Sequence, residues 1–339
     1  MIVLKYISGT IVATAVSDFT VGLFEWKNSA LTRLGTLRGH RGRVNDIKFL
    51  NQKLIVTGSS DGTIMGWDLE HGGKHVFKLE AYEEVRSVAC SVLKGEPICV
   101  CGLEDGIVQI WSLKSKRMIG KFEESHMEAV TRIFFHPTMN HILLTASEDG
   151  LVCVFDLSKK SEDDALMAVA NTNSAVRRFG LMKSNLLWCL TSSETLSLFR
   201  IDDDGCEELK SFDEIRDFDS TSGRCTLSDY LVDCMFDDRT NSLLILAGDH
   251  TGHLKFMRLC DKGVVPMCTL PSRGHTSTVR CVANLGRDLM VTGGDDGLLC
   301  VWPRSSSGPS RSDGGRSSSG KIERKQGRRS GVVRRARPY

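Results

Sequence analysis

An Asp-Gly pair recurs in this chain at a fixed interval of 44 residues, beginning at Asp61, Asp105 and Asp149. Each Asp is followed six positions later by an aromatic residue, and runs rich in Val, Ile, Leu and Thr flank each pair. A repeat of about 40 to 45 residues with this turn and this aromatic ending is typical of a four-stranded propeller blade. The interval therefore predicts a repetitive, all-β fold.

Other offsets repeat in the same register. His40, His126 and His275 each precede a Val by four residues, and Asp296-Gly297 again has a Trp six residues after the Asp. Three further units lack the Asp-Gly pair but keep the spacing of their apolar strands, and no segment has a sustained helical period. We therefore predict a seven-bladed β-propeller over residues 1 to 302, a single ring in which each blade buries its faces against its neighbours.

Twelve cysteines in 339 residues raise the question of a disulfide framework. Most of them fall inside predicted strands, where Cys serves as a small apolar residue, so the sequence favours a reducing compartment. Cys99 and Cys101 lack both the Cys-x-x-Cys spacing and a second pair, so we expect no metal site. The sequence also has no Gly-rich phosphate loop, and we expect no cofactor.

The apolar N-terminus, residues 1 to 16, has the length of a signal peptide. Its one charge, Lys5, lies inside the apolar run, and Ser8-Gly9-Thr10 interrupts it as a turn does. The segment also aligns with the repeat, which favours a pair of strands. No other segment approaches the roughly 18 apolar residues that a transmembrane helix needs.

The start of the chain poses a problem for closing the ring, because residues 1 to 8 align with the innermost strand of blade one. In the usual closure, residues before the first full unit supply the outermost strand of the last blade. We therefore expect the last blade, built from residues 278 to 302, to have three strands, or the chain to lack N-terminal residues that its relatives possess.

His, Thr and Asp at fixed spacing also suggest a catalytic triad. In a propeller blade, however, the carboxylate can hold the imidazole while the hydroxyl links it to a Trp indole. An enzyme places one triad in one pocket, whereas these sets recur around the ring, so we interpret them as structural. The sets are His40, Thr57, Asp61 and Trp67; His126, Thr145 and Asp149, ending at Phe155; and His275, Thr292, Asp296 and Trp302.

Residues 1 to 302 resemble the WD-repeat propeller family, although Trp67-Asp68 alone retains the Trp-Asp dipeptide. The similarity in the later blades is carried, in order, by residues 130–137, 149–156, 162–166, 228–231 and 274–280. The resemblance implies a ring-shaped, non-enzymatic scaffold for protein-protein interaction.

The C-terminal segment, residues 303 to 339, has eleven Lys or Arg against Asp313 and Glu323, a net charge of +9. The propeller keeps 33 of the 44 basic and 40 of the 42 acidic residues, a net charge of −7. Residues 305 to 320 are a Ser/Gly/Arg stretch that is too polar to fold, so we expect a disordered tail. Its cations suggest nuclear import or RNA contact, the alternative being a solvated tail that only keeps the protein soluble. They are Arg324, Lys325, Arg328, Arg329, Arg334, Arg335 and Arg337.

Five arginines follow blade-opening apolar residues, near the expected mouth of the central channel. On an acidic body they suggest a basic rim that binds an acidic peptide or a phosphate. The alternative is that they pair with neighbouring carboxylates such as that of Glu84. The five are Arg86, Arg132, Arg177, Arg178 and Arg280.

The longest spacer between units, residues 207 to 227, is a candidate contact site because loops carry specificity on a rigid scaffold. We interpret the acidic run of Asp202, Asp203 and Asp204 with Glu207 and Glu208 as a solvated loop.

These observations leave three functions open. The first is a scaffold in a nuclear or nucleolar complex, the alternative location being the cytoplasm. We expect such a scaffold to be a monomer within a larger assembly and to make no contact with a membrane. Its rim would bind an unidentified protein, such as an acidic peptide, and its tail RNA or an import receptor. The second is a substrate adaptor of a cullin-type ubiquitin ligase, although the Trp-Asp-x-Arg ending of such adaptors is absent because Glu70 stands at its last position. The third, an enzyme, fails because the sequence lacks a convergent polar cluster outside the repeated sets, so we expect no enzymatic activity.

Overall fold

The computed structural model describes most of the ring and none of the basic segment from residue 304 onward. The described residues are 4–6, 11–183, 185–202, 205–213, 215, 228–237, 240–260, 263–270, 274–285 and 289–303. The expected disorder of the tail and the cations between Arg324 and Arg337 therefore lie outside the described residues. So does most of the 207–227 spacer.

The first four blades each contain four consecutive antiparallel strands. Blade one has β1 (Leu4–Tyr6), β2 (Ile11–Ala15), β3 (Val21–Lys27) and β4 (Ala30–Leu37). Blade two has β5 (Val44–Phe49), β6 (Leu54–Ser59), β7 (Thr63–Asp68) and β8 (Lys74–Glu80). Blade three has β9 (Val85–Leu93), β10 (Glu96–Leu103), β11 (Val108–Ser112) and β12 (Arg117–Phe122). Blade four has β13 (Arg132–Phe135), β14 (Ile142–Ala146), β15 (Leu151–Asp156) and β16 (Leu166–Asn171), with α1 (Glu162–Ala165) before its last strand.

The remaining three blades complete the ring and confirm the predicted seven-bladed, all-β propeller. Blade five has β17 (Val176–Lys183), β18 (Leu186–Thr191), β19 (Leu196–Asp202) and β20 (Gly205–Phe212). Blade six has β21 (Tyr230–Asp237), β22 (Ser242–Gly248), β23 (Leu254–Cys260) and β24 (Gly263–Leu270). Blade seven has β25 (Val279–Leu285), β26 (Leu289–Gly294) and β27 (Leu299–Pro303). No helix in the described part of the chain is long and apolar enough to cross a membrane.

The ends of the ring are arranged as the repeat pattern predicts. β1 pairs with β2 in blade one, with Leu4 opposite Thr14, so residues 4–6 and 11–15 form an antiparallel strand pair. Within the described residues, the sheet of blade seven has three strands in the order β25-β26-β27. The expected three-stranded last blade is therefore present. Its last strand ends at Pro303, one residue beyond the predicted domain boundary.

The Asp-Gly pairs form the turns between the second and third strands. Gly62, Gly106, Gly150 and Gly297 all have positive φ angles, which glycine adopts without steric cost. In blade five, Glu194 occupies the equivalent turn position with a φ of 62°, and its N–H donates to the carbonyl of Thr191 as a glycine would. A side chain in this conformation costs about 1 to 2 kcal/mol, so its contacts must offset that cost.

The hydrophobic core is a series of layers between adjacent blades. One layer joins Val56, Ile64 and Phe77 of blade two to Val88 and Trp111 of blade three. The strand cysteines lie in these layers as small apolar groups: those at 99, 101, 153 and 189 are buried, and no described cysteine forms a disulfide. Burial raises the pKa of the Cys101 thiol to about 12, so this thiol is protonated and unreactive at neutral pH.

Antiparallel order places the loops before each inner strand, and the turns between second and third strands, at one end of the ring. We call this end the upper face. Side chains near the start of the inner strands bind backbone carbonyls of the next blade there. Asn45 donates to the carbonyl of Val85 at 2.8 Å, Ser87 to that of Val130 at 2.8 Å, and Thr131 to that of Val176 at 2.7 Å. These bonds fix the angle between blades, so the upper face is a rigid platform.

Candidate functional site

The first polar set of the upper face joins the loop before blade two to its second strand. His40 Nδ1 lies 3.1 Å from Asp61 Oδ2, and His40 Nε2 lies 2.7 Å from Thr57 Oγ1. The Trp67 indole N–H donates to the same hydroxyl at 2.9 Å. The backbone N–H of Arg41 also donates to Asp61, at 2.7 Å. Both ring nitrogens of His40 therefore have hydrogen-bond partners within the set.

The set in blade seven repeats this geometry. His275 Nδ1 lies 3.1 Å from Asp296 and its Nε2 lies 2.8 Å from Thr292, whose hydroxyl accepts from Trp302 Nε1 at 2.7 Å. Both His275 and Thr292 are almost completely buried.

The set in blade four is shorter. His126 lies 3.0 Å from Asp149 and 2.8 Å from Thr145. Phe155 stands where the other two sets have Trp and has no N–H to donate. It stacks instead on Phe122, with ring centroids 4.5 Å apart. The chain of hydrogen bonds therefore ends at Thr145.

Burial and these hydrogen bonds set the protonation of the first set. Burial lowers the pKa of His40 below its ordinary value, although the Asp61 carboxylate raises it. Burial alone would raise the pKa of Asp61, but hydrogen bonds from Thr63, Arg41 and His40 bring it below its ordinary value. At neutral pH the geometry is that of a neutral imidazole held by a carboxylate, which is a stable fastener between loop and strand.

Three of the five rim arginines are closely paired with carboxylates on the upper face. Arg86 lies 3.1 Å from Glu104 and 2.7 Å from Glu148, with Glu84 farther away at 3.9 Å. The Arg86 pairs therefore join blade three to the turn of blade four. For Arg86 this geometry corresponds to pairing with neighbouring carboxylates, which is one of the two alternatives given for the rim arginines.

Arg280 and Arg177, the other two closely paired arginines, have partners that are nearer in the sequence. Arg280 binds Asp295 through two nitrogens at 2.9 and 2.6 Å, and this bond raises the pKa of Arg280 and lowers that of Asp295. Arg177 donates to Glu194, whose second oxygen accepts from the backbone N–H of Leu231 in the next blade. The strained Glu194 turn thus supplies a link between blades five and six.

Arg132 and Arg178 lie one step deeper on the inner strands and are less closely paired. Both approach Asp233 Oδ2, at 3.8 and 3.7 Å. The structure thus separates the five arginines into a saturated group at the channel mouth and a pair on the channel wall.

The described part of the acidic spacer contributes one core residue. Ile215 is buried in the hydrophobic layer between blades five and six. In the preceding acidic run, Glu207 pairs with Arg200 at 3.1 Å and both side chains are exposed. Asp203, Asp204 and residues 216 to 227 lie outside the described residues.

Two exposed apolar side chains on the upper face were not predicted from the sequence. Tyr82 is 85% exposed and Met127 is 81% exposed. Each stands three residues before the opening Val of its blade, Val85 or Val130, so the two project from neighbouring loops. The same offset is occupied by Arg41 and Thr276 in blades two and seven, and that comparison could have identified them.

A further residue missed by sequence reasoning is Glu162 in α1. Its carboxylate accepts hydrogen bonds from the backbone N–H groups of Glu123, Glu124 and Ser125, at 2.6, 3.0 and 2.8 Å. These groups belong to the connection between blades three and four. Glu162 therefore fastens this connection to blade four.

Comparison with known proteins gives a consistent picture. The family model of the WD domain, G-beta repeat, matches residues 31–68, 117–156 and 265–303. The chain is 28% identical to the WD repeat-containing protein 89 homolog of Dictyostelium discoideum, over 87% of this chain and 80% of that protein. It is also 28% identical to WD repeat-containing protein GTS1 of Arabidopsis thaliana, over 87% of this chain and 79% of that protein.

Two more distant similarities are informative. The human GATOR2 complex protein WDR59 is 28% identical over 40% of this chain and 14% of its own length. The crystal structure of the computationally designed Ika8 protein superimposes with a TM-score of 0.60 at 20% identity, covering 89% of this chain and 82% of that one. The second similarity concerns the fold alone.

Proposed function

We propose that this seven-bladed propeller, three stretches of which match the WD-repeat family model, is a non-enzymatic scaffold that binds a protein partner through its upper face. The observation that carries this proposal is the pair Tyr82 and Met127, which project from adjacent loops of a rigid platform. Aromatic residues and Met are enriched at protein interfaces, where they supply apolar contact area. The proposal places the centre of the interface at blades three and four.

The polar sets support a scaffold more than an enzyme. His40 and His275 each bond an Asp and a Thr of their own blade, in equivalent places. A general base needs a ring nitrogen that can reach a substrate proton. In both sets the ring nitrogens already have partners within the blade.

The charge of the upper face indicates which side chains a partner segment would carry. Arg86, Arg177 and Arg280 are neutralised by carboxylates, so they contribute structure rather than free positive charge. Glu83, Glu84 and Glu128 stand in the same loops as Tyr82 and Met127. We therefore propose a partner segment that carries apolar and basic side chains, in place of the acidic peptide expected from the sequence.

We further propose that the protein works in a nuclear or nucleolar complex and that the basic segment serves import or RNA contact. The support is the net charge of +9 in residues 303 to 339, since clustered Lys and Arg attract import receptors and phosphates. Membership of a larger assembly is supported by the name of one human relative, a GATOR2 complex protein.

The alternative function, substrate adaptor of a cullin-type ubiquitin ligase, has weaker support. At the end of the Trp67-Asp68 repeat, Glu70 stands where such adaptors carry Arg, and it pairs with Lys53 at 2.8 Å. Asp68 accepts from the backbone N–H of Glu70 at 2.9 Å and thereby shapes the turn. These contacts serve the local turn of blade two.

The scaffold proposal is tested by substituting the two exposed side chains together, as Tyr82→Asn and Met127→Ser. Asn suits position 82 because the backbone there has a φ of 70°, which Asn tolerates better than most residues. The tagged variant and the wild type are compared by quantitative mass spectrometry of co-purified proteins. We expect loss of one or more specific partners; an unchanged set of partners contradicts the proposed face. The matched control is Phe19→Asn, because Phe19 is an exposed apolar residue of blade one with a similar φ of 67°.

The role of the basic segment is tested separately by deleting residues 321 to 339. We expect reduced nuclear accumulation and reduced salt-dependent RNA retention, because the deletion removes the paired Lys and Arg clusters. Unchanged localisation together with unchanged RNA retention would leave the segment as a solubility tail. The pull-down of the partner is expected to be independent of this deletion.

A further inference from the structure

We infer that Arg132 and Arg178 form an oxyanion-binding site on the wall of the central channel, with specificity for phosphate or a phosphoryl group. The site belongs to two adjacent inner strands, β13 and β17. Arg132 pairs with Ala146 and Arg178 with Leu190 on the second strands of their blades, at equivalent positions of the repeat. The two side chains therefore start from the same level of the ring.

The path of Arg132 places its guanidinium in the channel. Its neighbour Ile133 is completely buried in the layer between blades three and four, so strand alternation directs Arg132 to the side that faces blade five. Arg132, on blade four, approaches Asp233 on blade six. A side chain that passes blade five in this way must run along the inner surface of the ring.

Arg132 is the least satisfied of the five arginines. Its Nε is buried and has no hydrogen-bond partner among the described residues. Its side chain is only 22% exposed, and its ion pair with Asp233 has a length of 3.8 Å. A guanidinium has five N–H donors, and leaving a buried donor without an acceptor has a free-energy cost. An additional anion at this place would remove that cost.

Arg178 adds a second guanidinium to the same place. One of its terminal nitrogens donates to the carbonyl of Arg177 at 3.0 Å, and its Nε lies 3.7 Å from Asp233. Both distances to Asp233 exceed the roughly 3.2 Å limit of an N–H···O hydrogen bond. The single carboxylate therefore balances one of the two positive charges without using the N–H groups of either arginine.

The other carboxylate of this part of the channel is engaged elsewhere. Asp46 accepts from the backbone N–H groups of Ile47 and Val88, at 2.9 and 3.1 Å, and lies 3.8 Å from Lys48. Burial lowers the pKa of Arg132 and the positive charge of Arg178 lowers it further, whereas the carboxylates of Asp233 and Asp46 raise it. Among these groups, Arg132, Arg178 and Lys48 face the two carboxylates of Asp46 and Asp233, which leaves an excess of one positive charge.

The comparison with the channel mouth identifies the class of ligand. Arg280 binds Asp295 with two short bonds, and Arg86 lies close to both Glu104 and Glu148, so each has a carboxylate within hydrogen-bond distance. Among the described residues, Arg132 and Arg178 have no carboxylate that close. Guanidinium groups bind phosphate oxygens bidentately, and two of them around one tetrahedral anion can satisfy several oxygens at once.

The inference goes beyond the proposed scaffold function and does not depend on the Tyr82 and Met127 surface. Phosphate is titrated into the full-length protein by calorimetry at constant ionic strength, with chloride as the reference anion. We expect phosphate to bind and Arg132→Met or Arg178→Met to weaken it by roughly tenfold or more. The matched control is Arg280→Met, which removes a paired arginine at the mouth and is expected to keep the wild-type affinity.

A variant with the opposite expected effect keeps the test independent of folding defects. Asp233→Asn removes the carboxylate that competes for both arginines, so phosphate affinity should increase severalfold. Equal phosphate affinity in the wild type and both Arg→Met variants overturns the site, as does weaker binding in Asp233→Asn. The Tyr82→Asn and Met127→Ser variant is expected to bind phosphate normally, so failure of the partner surface is distinguishable from failure of this site.

The source of the anion is distinguished by a second arm of the experiment. A phosphoserine peptide and its unphosphorylated form are titrated beside inorganic phosphate. Tighter binding of the phosphopeptide, lost in Arg132→Met, identifies a phosphorylated partner segment that enters the channel. Equal affinity for peptide and free phosphate identifies the free anion as the ligand. Binding of the unphosphorylated peptide with the same affinity contradicts a phosphoryl site.

Discussion

Two regions of the molecule place a basic side chain beside an Asp in a partly buried environment. They are the His–Asp sets of the blades and the arginine pair of the channel wall. They differ in how many of their side-chain nitrogens have hydrogen-bond partners. In blade seven, His275 has partners at 3.1 and 2.8 Å on its two nitrogens, whereas Arg132 has a buried Nε without one. The sets recur around the ring, and the arginine pair occurs once. Recurrent, saturated polar groups hold the fold together; single, unsaturated ones are where a ligand can bind.

The largest effect is expected for His275→Ala in blade seven. The change leaves Asp296 and Thr292 buried without their common partner, which costs about 2 to 4 kcal/mol of unfolding free energy. Urea unfolding followed by tryptophan fluorescence measures this cost. His253→Ala is the matched control, because His253 is exposed and pairs with Asp249 on the surface. Equal effects of the two substitutions would contradict a structural role for the sets.

A smaller difference should separate the blade with a Trp from the blade with a Phe. Thr57→Val removes the donor to His40 Nε2 and the acceptor of the Trp67 indole N–H, whereas Thr145→Val affects His126 alone. We expect Thr57→Val to cost about 1 kcal/mol more, since it leaves one more buried donor unpaired. The same urea experiment on both variants measures the difference. A larger loss in Thr145→Val would show that the indole bond does not contribute.

The pH dependence of the unfolding free energy should reflect the titration of His40 and Asp61 in the first set. The pKa of His40 is lower in the folded protein than its ordinary value of 6.5, so the unfolded state takes up a proton first as the pH falls. Unfolding free energy should therefore decrease as the pH falls below about 6.5, and His40→Asn should make this decrease smaller. The lowered pKa of Asp61 has its effect in a separate window: its contribution is lost only as the pH falls below 3.8. An unchanged slope between pH 7.5 and 5 in His40→Asn would contradict this assignment.

The smallest effect is expected at the channel mouth. Arg280 and Asp295 form a partly exposed pair, and such pairs contribute about 0 to 1 kcal/mol to folding. Arg280→Met should therefore change the unfolding free energy by less than about 1 kcal/mol and reduce its dependence on salt. Urea unfolding at low and high salt measures both quantities. A loss comparable to that of His275→Ala would place Arg280 among the structural groups.

The sequence was sufficient to predict the ring, because turn residues and buried aromatic residues recur with the blades they build. It also predicted the members of the three His–Asp sets, whose spacing follows from the two strands that bring them together. It could not predict the partners of the rim arginines, since Arg86 binds Glu104 and Glu148 across a blade boundary. Nor could it predict that blade five replaces its turn glycine by Glu194 and uses that side chain to bind blade six. Such contacts depend on the angle between blades, which no local pattern encodes.

Whether function lies in the groups outside the repeated sets can be measured by comparing partner retention in two variants at equal amounts of folded protein. One variant carries Tyr82→Asn and Met127→Ser on the upper face, and the other carries Thr57→Val inside a His–Asp set. The account predicts that the first loses its specific partners without loss of stability, while the second keeps them despite lower stability. Full partner retention by the first variant together with loss by the second would contradict it.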